Sequence, residues 1–174
     1  MTKLAFDSGF AAVAASDARV LVLGSLPGTR SLQAQQYYAQ PQNAFWKIMG
    51  ALFDAGPDLD YARRLQRLKS NSVALWDVLA AGQRPGSLDA AIVKSSVVVN
   101  DFAAFFGGHA RLRLLCFNGK TAAALYARHV VPALAPEFAA IDSVVLPSTS
   151  AAYAAMRFEQ KLAQWSHALL RALD

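Results

Sequence analysis

The stretch VLVLGSLPGTRSLQAQQYYAQPQNAFWKIMGALF, Val20 to Phe53, decides the fold. Its first four residues are apolar and alternate Val with Leu, which reads as a buried strand. Gly24-Ser25-Leu26-Pro27-Gly28 stops that strand abruptly, and two glycines let backbone approach a ligand closely. A polar loop rich in Gln and Tyr follows. After Pro41, the residues Phe45, Trp46, Ile48, Met49, Leu52 and Phe53 recur at helical spacing and predict one buried helix face. A strand end, a glycine loop, an aromatic pair and a polar helix start together describe a ligand crevice at the carboxyl end of an open α/β sheet. These features do not name the ligand.

The rest of the chain repeats the alternation. Residues 1–18 read as a short lead-in with a weak helix around Ala11 to Ala15. Asp58 to Lys69 predicts a helix, with Asp58 and Asp60 early and Arg63, Arg64, Arg67 and Lys69 later, an order that suits the helix dipole. Ser72 to Trp76 predicts a second strand, ending at Asp77. That carboxylate is either functional or bonded to loop amides. Val78 to Pro85 reads as a crossing loop, and Ser87 as the cap of a short helix from Leu88 to Lys94. Asn100 reads as the cap of a helix over Asp101 to Phe106, closed by Gly107-Gly108. Arg111 to Phe117 predicts a third strand, followed by a helix that Asn118-Gly119-Lys120-Thr121 opens and that runs through Arg128. Val144 to Leu146 predicts a fourth strand, and Tyr153 to Ala172 a last helix carrying Met156, Leu162, Trp165, Leu169 and Leu170. Four strands alternating with helices imply a three-layer α/β/α fold around a central four-stranded, mainly parallel sheet. No repeat, low-complexity tract or linker divides the chain, so residues 1–174 read as one domain.

Composition narrows the function classes. A 174-residue chain that is 55% hydrophobic can bury a sizeable core. The formal charge of +5 is compatible with a nucleic-acid partner without requiring one. The single cysteine, Cys116, lies in the apolar run LRLLCF and reads as a buried hydrophobe. One cysteine excludes an internal disulfide and a thiolate-held iron–sulfur cluster. The N-terminus carries Lys3 but also Asp7 inside its short apolar run, a poor signal peptide. No apolar run approaches the roughly 20 residues that span a bilayer. A cytoplasmic, nucleoid-associated protein follows as an expectation, with no membrane partner.

The order GSLPG, Tyr37-Tyr38, Pro41-Gln42-Asn43-Ala44-Phe45-Trp46 resembles the first motif region of the uracil-DNA glycosylase superfamily. Mismatch-specific members carry a strand, a Gly-x-Asn-Pro-Gly loop, an aromatic residue and a Pro-x-Asn-x-Phe-Trp helix start. GSLPG with QYY downstream, together with the later phrase LWDVLAAGQRPGSLDAAI, is most similar to the hypoxanthine-DNA (deoxyinosine) glycosylase branch. Leu26 stands where mismatch-specific members place a catalytic Asn. The resemblance therefore implies Asn43 as the catalytic residue, with Gly24, Ser25, Tyr38 and Asn118 binding the base. Tyr38 falls where the family's stacking aromatic lies, with Tyr37 as the alternative exposed ring. Asn43 is also well placed to cap the helix from Ala44 to Phe53.

Asn118-Gly119-Lys120-Thr121 looks like the tail of a phosphate-binding loop. The full pattern needs a Gly five residues before Gly119, where Leu114 stands, and the ATPase reading fails. In the resemblance an Asn at this strand end reads the flipped base, a task that suits an amide because it offers donor and acceptor together. The plainer alternative is a helix cap. Leu146-Pro147-Ser148-Thr149-Ser150 matches the superfamily's second motif, implying that Pro147, Ser148, Thr149 and Ser150 bind DNA. Many members have His at the position of Leu146, where it stabilises the leaving base, and Ala151 stands where Pro is expected. His109, His129 and His167 lie outside the motifs, no G-x-S-x-G is present, and no metal spacing appears.

The implied function is a monofunctional, monomeric DNA glycosylase acting on double-stranded DNA containing deaminated bases, hypoxanthine or uracil, with no cofactor and no metal. A mismatch-specific uracil-DNA glycosylase and a non-catalytic nucleic-acid-binding module are the alternatives.

Overall fold

The computed structural model describes residues 5–174. Lys3, weighed above for a signal peptide, lies outside them. Four parallel strands form the central sheet: β2 (Val20–Gly24), β3 (Val73–Asp77), β6 (Leu114–Asn118) and β7 (Asp142–Leu146), in the order β3-β2-β6-β7. Every residue of β2 and β3 is buried, which is why they read as unbroken apolar runs.

Side-chain alternation along β2 builds the two outer layers. Leu21 and Leu23 pack with Phe102, Phe105 and Phe106 of α4 (Phe102–Gly108) and with Ala122 and Tyr126 of α5 (Lys120–His129). Val20 and Val22 pack on the other face. Their neighbours there are Phe45, Ile48, Met49 and Phe53 of α2 (Phe45–Phe53), Leu68 of α3 (Tyr61–Ser70), and Trp165 and Leu169 of α7 (Phe158–Leu173). The three-layer α/β/α architecture around a four-stranded parallel sheet is the observed fold. Cys116 is buried within it, and desolvation pushes its thiol up to about 12. Among the described residues no helix is long and apolar enough to cross a membrane.

Several local expectations are corrected. Residues 11–15 are extended rather than helical, because Val13 exchanges both backbone hydrogen bonds with Leu75 (2.9 and 2.8 Å) and covers the edge of β3. The expected crossing loop after Asp77 is a strand, β4 (Leu79–Gln83). It pairs antiparallel with β1 (Phe6–Ser8) and β5 (Val98–Val99) in a second, three-stranded sheet. Only a 3-10 turn, Asp89–Ala91, forms in place of the start of the expected short helix, and Ser87 Oγ instead accepts the Thr29 amide at 3.1 Å. Asp101, not Asn100, caps α4, accepting the Ala104 amide at 3.0 Å. α3 starts at Tyr61 because Asp60 caps it, its carboxylate accepting the Arg63 amide at 2.9 Å. α7 starts at Phe158, leaving Tyr153 in the preceding turn. Among the described residues the two remaining α-helices are short: α1 (Thr29–Ala34) and α6 (Pro136–Ala139).

Candidate active site

The carboxyl ends of the parallel strands open into one cleft of about 540 Å³, lined by the GSLPG loop, Tyr38, Asn43, Asp77, Asn118 and the Ser148–Tyr153 segment. That volume falls in the range of small-molecule sites, roughly 300–1,000 Å³. All four strand-end loops contribute, so the crevice expected from Val20–Phe53 is present and wider than that stretch alone.

Gly24 has to lack a side chain. A Cβ there would sit 2.5 Å from Asp77 Oδ1 and 3.0 Å from the Tyr38 hydroxyl. Ser25 follows it, buried at the cleft wall. Leu26 turns into the core, which explains an apolar residue in a polar loop. Its carbonyl and that of Pro27 accept hydrogen bonds from the buried Arg84 guanidinium, which also pairs with Asp7 at 3.4 Å and Asp89 at 3.5 Å. The loop is thus fixed from behind by a buried cation.

The two tyrosines separate. Tyr37 is only 3% exposed, and its hydroxyl donates to the Ala11 carbonyl at 2.9 Å. It is the packed ring, and the alternative of Tyr37 as the exposed ring is corrected. Tyr38 lines the cleft, its ring stacked on Phe45 with centroids 4.1 Å apart. Its backbone is left-handed, at φ 53°, a conformation that a bulky residue adopts only at a cost. Burial, then the nearby Asp77 charge, raises its hydroxyl well above the usual tyrosine range.

Asn43 and Asn118 are both tied down, in different ways. Asn43 Oδ1 accepts the Phe45 amide at 2.9 Å, so the expected support of the α2 start is present, one residue before the cap position at Ala44. That bond leaves one lone pair on Oδ1 and the amide hydrogens for other partners. Asn118 Nδ2 donates to Thr149 Oγ1 at 2.9 Å, and its Oδ1 accepts the Thr149 amide at 2.9 Å. It does not cap α5, whose cap position is Gly119 at φ 94°. By count Asn118 keeps one hydrogen and one lone pair, on the outer sides of the amide because Thr149 takes both groups of its shared edge, and the Tyr38 hydroxyl lies beside it.

Thr149 departs from expectation. It is 1% exposed, and its carbonyl accepts the Ala44 amide at 2.9 Å while its other two polar groups hold Asn118. With all three groups engaged and buried, it joins the strand ends instead of facing a phosphate. Pro147, Ser148 and Ser150 line the chain beside it, Ser148 and Ser150 at the cleft. Trp165 Nε1 donates to the Pro147 carbonyl at 2.9 Å, and Lys161 Nζ to the Ser150 carbonyl at 3.3 Å. Burial lowers the Lys161 ammonium from its ordinary value.

Of the two readings of Asp77, function or bonding to loop amides, the second does not hold, since among the described residues no loop amide bonds its carboxylate. It is 4% exposed, and Oδ2 finds no hydrogen-bond donor among the described residues. Desolvation, reinforced by Asp89 and opposed by Arg84, raises its carboxyl to about 7. Arg84 and Lys161 are site residues that sequence reasoning misses. Arg84 and Asp89 carry a signal, since both ends of the R-x-GSLD phrase converge on the GSLPG loop; nothing local marks Lys161. His109 stacks on Phe105, and among the described residues no cluster of three or more His, Cys, Asp or Glu is arranged to hold a metal ion.

The model of the uracil DNA glycosylase superfamily matches residues 10–173. A protein of Methanosarcina acetivorans named hypoxanthine DNA glycosylase is 43% identical over 115 residues, 66% of this chain and 72% of that one. A protein of the same name from Methanosarcina barkeri is 40% identical over 115 residues, 64% of this chain and 70% of the other. The solution NMR structure of a candidate uracil DNA glycosylase from Methanosarcina acetivorans superposes with a TM-score of 0.79 at 34% identity, covering 98% of this chain and 100% of that one. The chain belongs to the uracil DNA glycosylase superfamily.

Proposed function

We propose that this chain is a monofunctional DNA repair glycosylase of the hypoxanthine type, hydrolysing the N-glycosidic bond of a deaminated base and leaving an abasic site. The observation that carries the reading is the 43% identity to a hypoxanthine DNA glycosylase, in a chain that keeps a strand-end cleft able to enclose a base. It acts as a single domain and a monomer in the cytoplasm on double-stranded DNA. The net charge of +5 suits a phosphate-rich partner, and uracil is a second candidate base.

In this reading the base leaves the stack and enters the cleft, where Tyr38 stacks on it and the spare amide hydrogen of Asn118 meets a base carbonyl. Gly24 and Ser25 form the wall, and Pro147, Ser148 and Ser150 face the DNA backbone. Departure of the base develops positive charge on the sugar, and a water attacks the opposite face. Asn43 cannot remove a proton from that water, because an amide has no useful basicity near neutral pH. Its remaining Oδ1 lone pair can hold the water in line, and positioning of this kind supplies a large share of a rate enhancement. Leu26, buried and apolar, cannot.

Single-turnover cleavage of an inosine-containing duplex, read after alkali, tests the assignment. Asn43→Ala is expected to lose at least about a hundredfold in rate while remaining folded. Support of α2 alone would cost about 1 kcal/mol of stability and leave turnover near wild type. That second outcome would remove Asn43 from the chemistry.

A further inference from the structure

Asp77 is the one buried carboxyl at the cleft whose position the fold does not explain. Its strand gains nothing from the side chain, because the β3 backbone pairs without it: Asp77 aligns with Gly24, and its carbonyl accepts Asn100 Nδ2 at 2.7 Å. Oδ2 finds no donor among the described residues, although the residue is 4% exposed. The Tyr38 hydroxyl close by is likewise buried, with no well-formed hydrogen bond among the described residues and the Asn118 side chain as its polar neighbour. Both groups converge on Gly24, whose missing side chain is what lets them approach. Buried polar atoms are almost always paired, and one without a protein partner in a native fold marks a strain reservoir, a bound water or ion, or a functional contact. Here the two unpaired atoms belong to residues lining the cleft.

Resting on the glycosylase reading above, we propose that Asp77 is a base-contacting residue whose carboxyl pairs with the lactam edge of the flipped base. Deamination converts the amino-imine edge of adenine or cytosine into an N–H beside a C=O. A neutral carboxyl offers an acceptor for that N–H and a donor for that C=O, whereas a carboxylate offers acceptors only and repels the carbonyl. Its surroundings raise the carboxyl to about 7, so the neutral form is abundant at and below neutral pH. Desolvation acts first, then Asp89 from the 3-10 turn, against Arg84 at the end of β4, with the hydroxyls of Tyr37, Tyr38 and Tyr61 also facing its charge. Asp77 Oδ2 and the Tyr38 hydroxyl are covered, so engagement needs a local shift, and the left-handed backbone at Tyr38 is the strained point beside them.

The test measures single-turnover cleavage of inosine DNA between about pH 6 and 9 for the wild type, Asp77→Ala and Asp77→Asn, each shown to be folded by circular dichroism. Asp77→Ala is expected to lose about a hundredfold, the scale of losing a two-point contact to a base. Asp77→Asn keeps a donor and an acceptor, so it should lose only about three- to tenfold. Its rate should no longer fall as pH rises through the range where the wild-type rate does, since an amide does not ionise. An Asp77→Ala protein within about threefold of wild type overturns the proposal. So does Asp77→Asn falling as far as Asp77→Ala, which would mean that the carboxyl transfers its proton instead of pairing. Misfolding of both variants overturns it too, by making the residue structural. A wild-type protein inactive on inosine and uracil DNA removes the glycosylase reading itself, a result separate from all of these.

Discussion

Two strands flank β2, and each ends in a polar residue level with Gly24: Asp77 on β3, and Asn118 on β6, one residue beyond Phe117. The two ends are built oppositely. Asn118 makes two side-chain hydrogen bonds with one buried threonine, and through Thr149 it fastens the β7 loop to the start of α2. Among the described residues nothing bonds Asp77 Oδ2, and the carboxyl sits between the repelling Asp89 and the attracting Arg84. A neutral amide with its partners in place costs the fold little and sets loop geometry. A buried carboxyl without a donor is a standing cost, and the free energy that tolerates it has to come from the surrounding core. The satisfied end holds the site together; the unsatisfied end is where a ligand has most to offer.

The largest effect that would break this contrast comes from Arg84, the cation on the Asp77 side. Its guanidinium is buried among two loop carbonyls and two carboxylates. Arg84→Met should cost about 3–5 kcal/mol, measured by urea unfolding, because it leaves Asp89 and the loop carbonyls without their partner. A loss below about 1 kcal/mol would show that the GSLPG loop does not depend on this clamp.

A smaller effect follows from the Asp77 carboxyl. Its folded value, about 7, lies above the ordinary carboxylate value. A raised value means that the native state holds the proton more tightly than the unfolded chain. Its contribution to stability is therefore full below about pH 4 and is lost as pH rises through about 7. From this group the protein should lose on the order of 2–3 kcal/mol between about pH 5 and pH 8. Thermal or urea unfolding at those two values should show a steeper decline for the wild type than for Asp77→Asn. Parallel curves would mean that the carboxyl is ionised throughout and that the contrast with Asn118 is one of geometry alone.

Much of the molecule is readable from sequence, for physical reasons that also mark the limits. Strands covered on both faces are continuous apolar runs, so VLVLG, VALW and LLCF stand out. β4 does not. Leu-Ala-Ala-Gly-Gln has weak strand character, and it is a strand only because β1 and β5 pair with it. The Ala-rich 11–15 segment misleads for the same reason: pairing of Val13 with Leu75 outweighs helix propensity. In the cleft, Tyr38, Asn43 and Asn118 are legible through their motif positions. The pairing of Asn118 with Thr149, 31 residues apart, and the isolation of Asp77 are not, since whether a polar atom finds a partner is a property of the folded chain.

The smallest stability effect, and the sharpest test of the contrast, comes from making the two strand ends chemically alike. Asn118→Ala leaves the buried Thr149 amide and hydroxyl without partners and should cost about 1–2 kcal/mol. Asn118→Asp should cost less than about 1 kcal/mol. One carboxylate oxygen still accepts the Thr149 amide, and the Thr149 hydroxyl can rotate to donate to the other, so the latch survives with its polarity reversed. What disappears is the spare donor. A side chain that only accepts cannot meet a base carbonyl, so cleavage of inosine DNA by the Asn118→Asp protein should fall about tenfold to a hundredfold at about pH 8, at almost wild-type stability. If Asn118 is only a latch, Asn118→Asp will keep near-wild-type turnover, and reading of the base will rest on Asp77 and the loop backbone.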